Sequence, residues 1–213
     1  MSLRTLLILG LLAGLAGWWF SDVRRGARAP AAAADLRPDC PLPARVAAGE
    51  EPLQTDVPDG VRPFALQAAT LTPLAGFSVE ARVLSREDYR SGRESDLSPL
   101  DLALGWRRMS EDAVLDGLSI SQGSRWYHYR WSDQPPLAPS EIARSSANMH
   151  MIPGNDAIAR TLADIRKDDR VRIDGWLVEA QAPDGWRWRS STSRTDNGGG
   201  ACEVVYVCTV TRL

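Results

Sequence analysis

The chain has 213 residues, of which 44% are hydrophobic and 24% are charged. This is the composition of a globular protein, so whole-chain disorder is excluded, and the length allows one domain with extra segments rather than two full-sized domains. The formal net charge is -2, from 25 basic and 27 acidic residues, which gives no reason to expect a nucleic-acid partner.

Residues 1–25 are predicted to be a membrane anchor. Residues 5–20 carry no charge, and this run approaches the ~20 residues that a helix needs to cross a bilayer. Trp18 and Trp19 lie at its end, where aromatic rings favour the headgroup layer. A cleaved signal peptide is the alternative, but the small residues suited to cleavage at 31–34 lie far beyond the apolar run, which favours an uncleaved anchor.

The residues around this segment give conflicting indications of its orientation in the membrane. More arginines follow the apolar run than precede it, which on the positive-inside rule favours a cytoplasmic body. A very short leading tail, in contrast, usually exports the chain that follows. We expect the exported arrangement: a single-pass protein of a bacterial inner membrane, with its globular domain in the periplasm.

Residues 26–62 are predicted to be an Ala/Pro-rich linker. The segment holds six prolines and no aromatic residue, so it offers little apolar surface to offset the entropy of ordering it. We expect a mostly extended tether between the membrane and the domain.

Residues 63–213 are predicted to form an α+β domain dominated by antiparallel strands. Strands are predicted at 64–71, 76–85, 118–122, 125–131, 171–180, 186–191 and 202–211. Short helices are predicted at 98–105, at 110–115, from Pro139 and at 155–167. Successive strands joined by short turns favour a small barrel or a curled sheet, and closure like that of an OB fold is one alternative.

Three cysteines are present: Cys40, Cys202 and Cys208. In one strand, Cys202 and Cys208 would be ~20 Å apart, too far to bridge each other. Cys40 could pair with either of them in an oxidising compartment, and three unpaired thiols are the alternative. The spacing shows no metal-binding pattern, so neither a metal nor another cofactor is expected.

The most unusual stretch is RWYHYRW, residues 125–131, in which rings alternate with charged side chains. A second alternating stretch, WRWR, occupies residues 186–189. If exposed, such rows would form a stacking surface for sugars, bases or a peptide, whereas buried rings would be ordinary core. The predicted binding residues are Arg125, Tyr127, Tyr129, Trp186, Trp188 and Arg194, the last on a polar loop that could hold an anion.

If the protein is an enzyme, the candidate catalytic residues are His150, Asn148 and Cys202. A thiol, an imidazole and an amide can form a hydrolase site, but their spacing matches no local signature. A metal pair formed by His128 and His150 lacks a third defined ligand.

Five segments resemble a family of bacterial proteins with an N-terminal hydrophobic segment. They are SPLDLALGW (98–106), SISQGSRWYHYRW (119–131), SANMHMIP (146–153), VRIDGWLVEA (171–180) and GGGACEVVYV (198–207). The resemblance covers roughly residues 63–210 and implies a shared fold and a membrane tether. It implies no activity, so it transfers no site residue.

These observations predict a membrane-tethered, non-enzymatic binding or scaffolding module. Its expected partners are the membrane, through the N-terminal helix, and an envelope protein or a glycan. The alternative is a membrane-bound hydrolase that uses His150 with a nearby carboxylate or with Cys202.

Overall fold

The computed structural model describes residues 5, 10, 40–66, 69–193 and 201–213. Within these residues, no helix is both long enough and apolar enough to span a membrane. The predicted anchor at 1–25 lies outside the described residues except for two positions, and so does the first part of the predicted linker, 26–39.

The described chain is β-rich, with a few short helices. The strands are β1 Leu53–Thr55, β2 Phe64–Ala65, β3 Thr70–Asp88, β4 Leu100–Gly105, β5 Ser119–Gly123, β6 Trp126–Arg130, β7 Ser146–Pro153, β8 Arg170–Gln181, β9 Arg187–Arg189 and β10 Glu203–Arg212. The α-helices are α1 Asp112–Leu115, α2 Pro139–Arg144 and α3 Asp156–Asp164, and 3-10 turns span Arg93–Asp96 and Arg107–Ser110.

One large sheet contains every strand except β5 and β6, which form a separate hairpin. Strand β3 is 19 residues long and pairs with β4 towards its end and with β8 along its first part, so the path β3-β4-β7-β10-β8 returns to β3. The sheet is therefore partly closed. Irregular pairing near Pro73 and Leu84 interrupts β3, and such bulges bend a strand.

The sheet is mixed: antiparallel pairs dominate, as predicted, but one pair of the described strands is parallel. Strand β10 runs parallel to β7, while its other neighbour, β8, is antiparallel to it. The reason is the connection: α3, β8 and β9 intervene between β7 and β10, so the chain returns along β7 in the same direction instead of turning back in a hairpin.

The inner face of the sheet forms the main core. Alternate residues of β3 point inward, as their spacing predicted: Phe77, Val79, Ala81 and Val83. The other strands add apolar side chains to this core, and Leu162 with Ile165 packs in from the α3 region. Helix α3 begins at its predicted cap, because the Asn155 side chain accepts a hydrogen bond from the Ile158 N–H (2.9 Å).

The helix predicted at 98–105 is wrong, because residues 100–105 form β4. Leu100, Leu102 and Leu104 alternate with smaller or polar residues, and all six residues are buried. Pairing with β3 on one side and with β7 on the other satisfies the backbone of this segment. Ser98 suits a helix N-cap and Pro99 the first helical position, but tertiary contacts override this local signal.

Residues 40–62, the described part of the predicted linker, pack against the sheet. The Val46 N–H donates to Ser78 Oγ (2.9 Å), and the Trp176 Nε1–H donates to the Pro41 carbonyl (3.1 Å). Strand β1 pairs with β3. Cys40 forms a disulfide with Cys208 in β10, one of the two pairings that the sequence left open, with the Cα atoms 5.5 Å apart.

Candidate functional site

Polar side chains gather on the outer face of β4 and β7. Because side chains alternate along a strand, the leucines of β4 and the methionines of β7 face the core while Asp101, Asn148 and His150 face outward. Three connections meet over this face: residues 89–99, the turn of the β5–β6 hairpin, and the segment that contains β9.

The hairpin turn brings Arg125 to this face. The turn residues are Ser124 and Arg125, with φ of 52° and 68°. They lie one position later than residues 123–124, which separate the two predicted strands. Positive φ at both central positions is the geometry of a type I′ turn, which suits the twist of a two-stranded hairpin. The Arg125 N–H then donates to Tyr89 Oη (2.9 Å).

Arg125 forms an ion pair with a carboxylate that is shielded from solvent. Its Nη1 donates to Asp101 Oδ1 (2.7 Å), and its Nη2 donates to the Ser98 carbonyl (2.8 Å). The Asp101 side chain is 0% exposed and the Arg125 side chain 17% exposed. A charge pair this well buried is costly to break, because either partner alone would be left desolvated.

Two residues of β7 complete the group around this carboxylate. Asn148 donates to Asp101 Oδ2 (3.2 Å) and to the Arg125 carbonyl (3.0 Å), while its own oxygen accepts from Gln122 (2.6 Å). His150 Nδ1 lies 2.9 Å from Asp101 Oδ1, without the alignment of a hydrogen bond. We call Asp101, Arg125, Asn148 and His150 the polar cluster.

Aromatic rings border the polar cluster. The Arg125 guanidinium lies 3.8 Å from the centre of the Tyr89 ring and 5.6 Å from that of Trp188. Trp188 also packs against the His150 ring at 4.7 Å and lies 6.1 Å from Trp186. Burial, followed by the nearby Asp101 charge, raises the pKa of Tyr89. We call Tyr89, Trp186 and Trp188 the aromatic wall.

Alternation along residues 186–189 places Trp186 and Trp188 on this side. Arg187 and Arg189 project from the opposite side and form ion pairs with Glu179 of β8. These hydrogen bonds, that of Arg187 first, hold the pKa of Glu179 below its usual value. The arginines of the WRWR stretch therefore fix the strand, while its tryptophans form part of the wall.

The structure brings together most of the predicted site residues. Five of them belong to the polar cluster or the aromatic wall: Arg125, Asn148, His150, Trp186 and Trp188. Cys202 lies beside them, with its Sγ 3.9 Å from the Arg125 carbonyl.

Three predicted binding residues are not part of this group. Tyr127 and Tyr129 face inward under the hairpin and pack against a core cluster that includes Ile142, so they are not an exposed binding row. Burial raises the pKa of Tyr127 strongly. Arg194 lies outside the described residues.

Sequence reasoning missed two members of the site, Tyr89 and Asp101. Asp101 falls near the start of the helix wrongly predicted at 98–105, where a carboxylate is common. The available signal was the single acidic residue within an alternating row of leucines, a pattern that places one charge on the second face of a buried strand.

The site combines charged, polar and aromatic groups on one face of the sheet. It holds a carboxylate, a guanidinium, an amide and three rings in fixed positions. His150 does lie beside an acid, but its side chain is only 4% exposed. Comparison of the chain with protein-family models, with curated proteins and with solved structures found no match.

Proposed function

We propose that this protein is a non-enzymatic binding module, held at the bacterial inner membrane by its N-terminal segment, and that it binds its partner at the aromatic wall. The observation that carries the proposal is the convergence of Arg125, Tyr89 and Trp188 from three separate connections onto one face of the sheet. Connections that converge on a rigid sheet are where binding residues concentrate.

We further propose that the path β3-β4-β7-β10-β8 is an OB-type barrel. Its support is the return of the path to β3, the parallel pair of β7 and β10, and the helix α3 between β7 and β8. OB folds bind extended ligands across their second and third strands, between the loops that follow the first and fourth strands. The corresponding parts here are β4, β7, residues 89–99 and the β9 segment, which are the parts that form the candidate site.

The proposed periplasmic location gains support from the Cys40–Cys208 disulfide. Disulfides persist in the periplasm and are rare in the reducing cytosol. With a net charge of -2 and this location, an envelope protein or a glycan suits the site better than a nucleic acid. The resemblance to bacterial proteins with a hydrophobic N-terminal segment agrees with the proposed tether.

A membrane-bound hydrolase is the second candidate, favoured by one contact: His150 Nδ1 lies 2.9 Å from a carboxylate oxygen of Asp101. An acid in that position can orient a histidine base. Arg125 already neutralises this acid, however, and both side chains are shielded from solvent, which argues for a binding role.

Pull-down from native membranes tests the binding proposal. Trp188→Ala removes part of the wall, and Trp126→Ala is the matched control because Trp126 lies 41% exposed on the outer side of the hairpin. We expect Trp188→Ala to lose a partner that the wild type and the control both recover. Identical recovery by all three proteins would refute the proposal. A reporter active only outside the cytoplasm, fused after Leu213, tests the orientation.

A further inference from the structure

We propose that Arg125 fills a guanidinium site as an internal ligand, and that an arginine side chain of a partner protein displaces it. This inference rests on the proposed binding function and names the group that the site recognises. The site consists of the Asp101 carboxylate, the Ser98 carbonyl and the rings of Tyr89 and Trp188.

The geometry selects a guanidinium group over an ammonium group. One terminal nitrogen of Arg125 donates to Asp101 (2.7 Å) and the other to the Ser98 carbonyl (2.8 Å). The centre of the group lies 3.8 Å from the centre of the Tyr89 ring. A planar fork with several donors satisfies two acceptors and a ring face at once, whereas an ammonium is a compact point charge.

The charge of the site favours another cation when Arg125 leaves it. Asp101 is fully shielded, and its remaining contacts are the Asn148 amide and the His150 imidazole. An ionised carboxylate in such a place is strongly disfavoured without a positive partner. Unless Asp101 or His150 takes up a proton, a displaced Arg125 is therefore replaced by another cation.

The turn that carries Arg125 is suited to moving away while the rest of the hairpin stays on the core. Among the described residues, β5 and β6 pair only with each other and not with the large sheet. Both turn residues, Ser124 and Arg125, have positive φ although neither is glycine, which costs free energy and is common at ligand clamps. Tyr127 and Tyr129 keep the rest of the hairpin on the core, whereas the Arg125 side chain holds the turn against the sheet. A competing arginine would therefore release the turn.

Chemical rescue tests the site in the purified full chain. We expect Arg125→Ala to lower the melting temperature, and ethylguanidinium at millimolar concentration to restore at least half of the loss, with ethylammonium restoring much less. Arg130→Ala, which removes an exposed arginine of the same hairpin, should change neither the melting temperature nor the response to ethylguanidinium. Equal rescue by both cations, or none by either, would overturn the guanidinium site.

Hydrogen exchange of the wild type provides a second measurement that holds even if Arg125→Ala does not fold. A tetra-arginine peptide should accelerate exchange of residues 119–131, whereas a tetra-lysine peptide should not. Unchanged exchange with both peptides would refute displacement. These tests use defined probes, so they are independent of the membrane pull-down. Guanidinium-specific effects together with an empty pull-down would support the guanidinium site and count against the proposed function. A recovered partner without guanidinium-specific effects would support the proposed function and count against the site.

Discussion

The Cys40–Cys208 disulfide gives a stability prediction whose size follows from the chain length that it closes. The two cysteines are separated by 168 positions, and in the chain-entropy model closing a loop of this length stabilises the fold by about 5 kcal/mol at 25 °C. Residual structure in the unfolded chain reduces this value, so we expect a loss of about 3–5 kcal/mol from the variant Cys40→Ala/Cys208→Ala.

Urea unfolding followed by tryptophan fluorescence measures this loss. The double variant should unfold at a lower urea concentration, and its melting temperature should fall by about 2–4 °C for each kcal/mol lost. Cys202→Ala is the matched control, because Cys202 forms no disulfide among the described residues, and it should stay within about 1 kcal/mol of the wild type.

Thiol counting checks the premise of this prediction directly. Protein purified without reductant should show one reactive thiol per chain after unfolding, since two of its three cysteines are paired. Three reactive thiols would mean that the bond does not form. A double variant as stable as the wild type would mean that closing this loop contributes nothing, and either result would refute the reasoning.

Two further predictions concern the sheet and a surface ion pair. Gly175→Ala should destabilise the fold by about 1–3 kcal/mol or more, because the added Cβ would lie 2.0 Å from the Tyr206 carbonyl oxygen. The Cβ added by the control Gly123→Ala would have no atom within 4 Å, so this variant should melt at nearly the wild-type temperature. Equal losses of stability in the two variants would contradict this account. The hydrogen bond from Arg93 lowers the pKa of Asp184 to about 2, so Arg93→Ala should raise it towards 3.8 in a carboxyl NMR titration. Because the folded-state pKa is the lower one, this pair stabilises the fold at neutral pH, and its contribution should fade below about pH 4 as the carboxylate protonates.

The elements that the sequence predicted well are those whose local pattern and tertiary role agree. Examples are the alternating apolar residues of β3 and β8 and the Asn155 cap of α3. Each predicts a local structure that is also present in the fold. Residues 100–105 show the opposite case. Ser98 and Pro99, directly before them, are typical of a helix start. Burial of both faces and pairing with two strands make the segment a strand instead.

The candidate site was only partly predictable, because its members come from distant parts of the chain. Arg125 and Trp188 stood out by their unusual composition, but nothing local indicated that Asp101 would lie beneath them. The path of residues 40–55 across the sheet could not be predicted from the sequence either. It depends on contacts with side chains such as Trp176 and Ser78, which a proline-rich pattern does not reveal.

The bond between Cys40 and Cys208 also determines how the molecule would respond to tension. A pull between the two ends of the chain would pass through this covalent link and then through residues 209–213, so residues 41–207 would be shielded from the load. Reducing the bond would place the whole domain in the path of the force. In single-molecule pulling, reduction should therefore appear as a large gain in the extensible length of the chain.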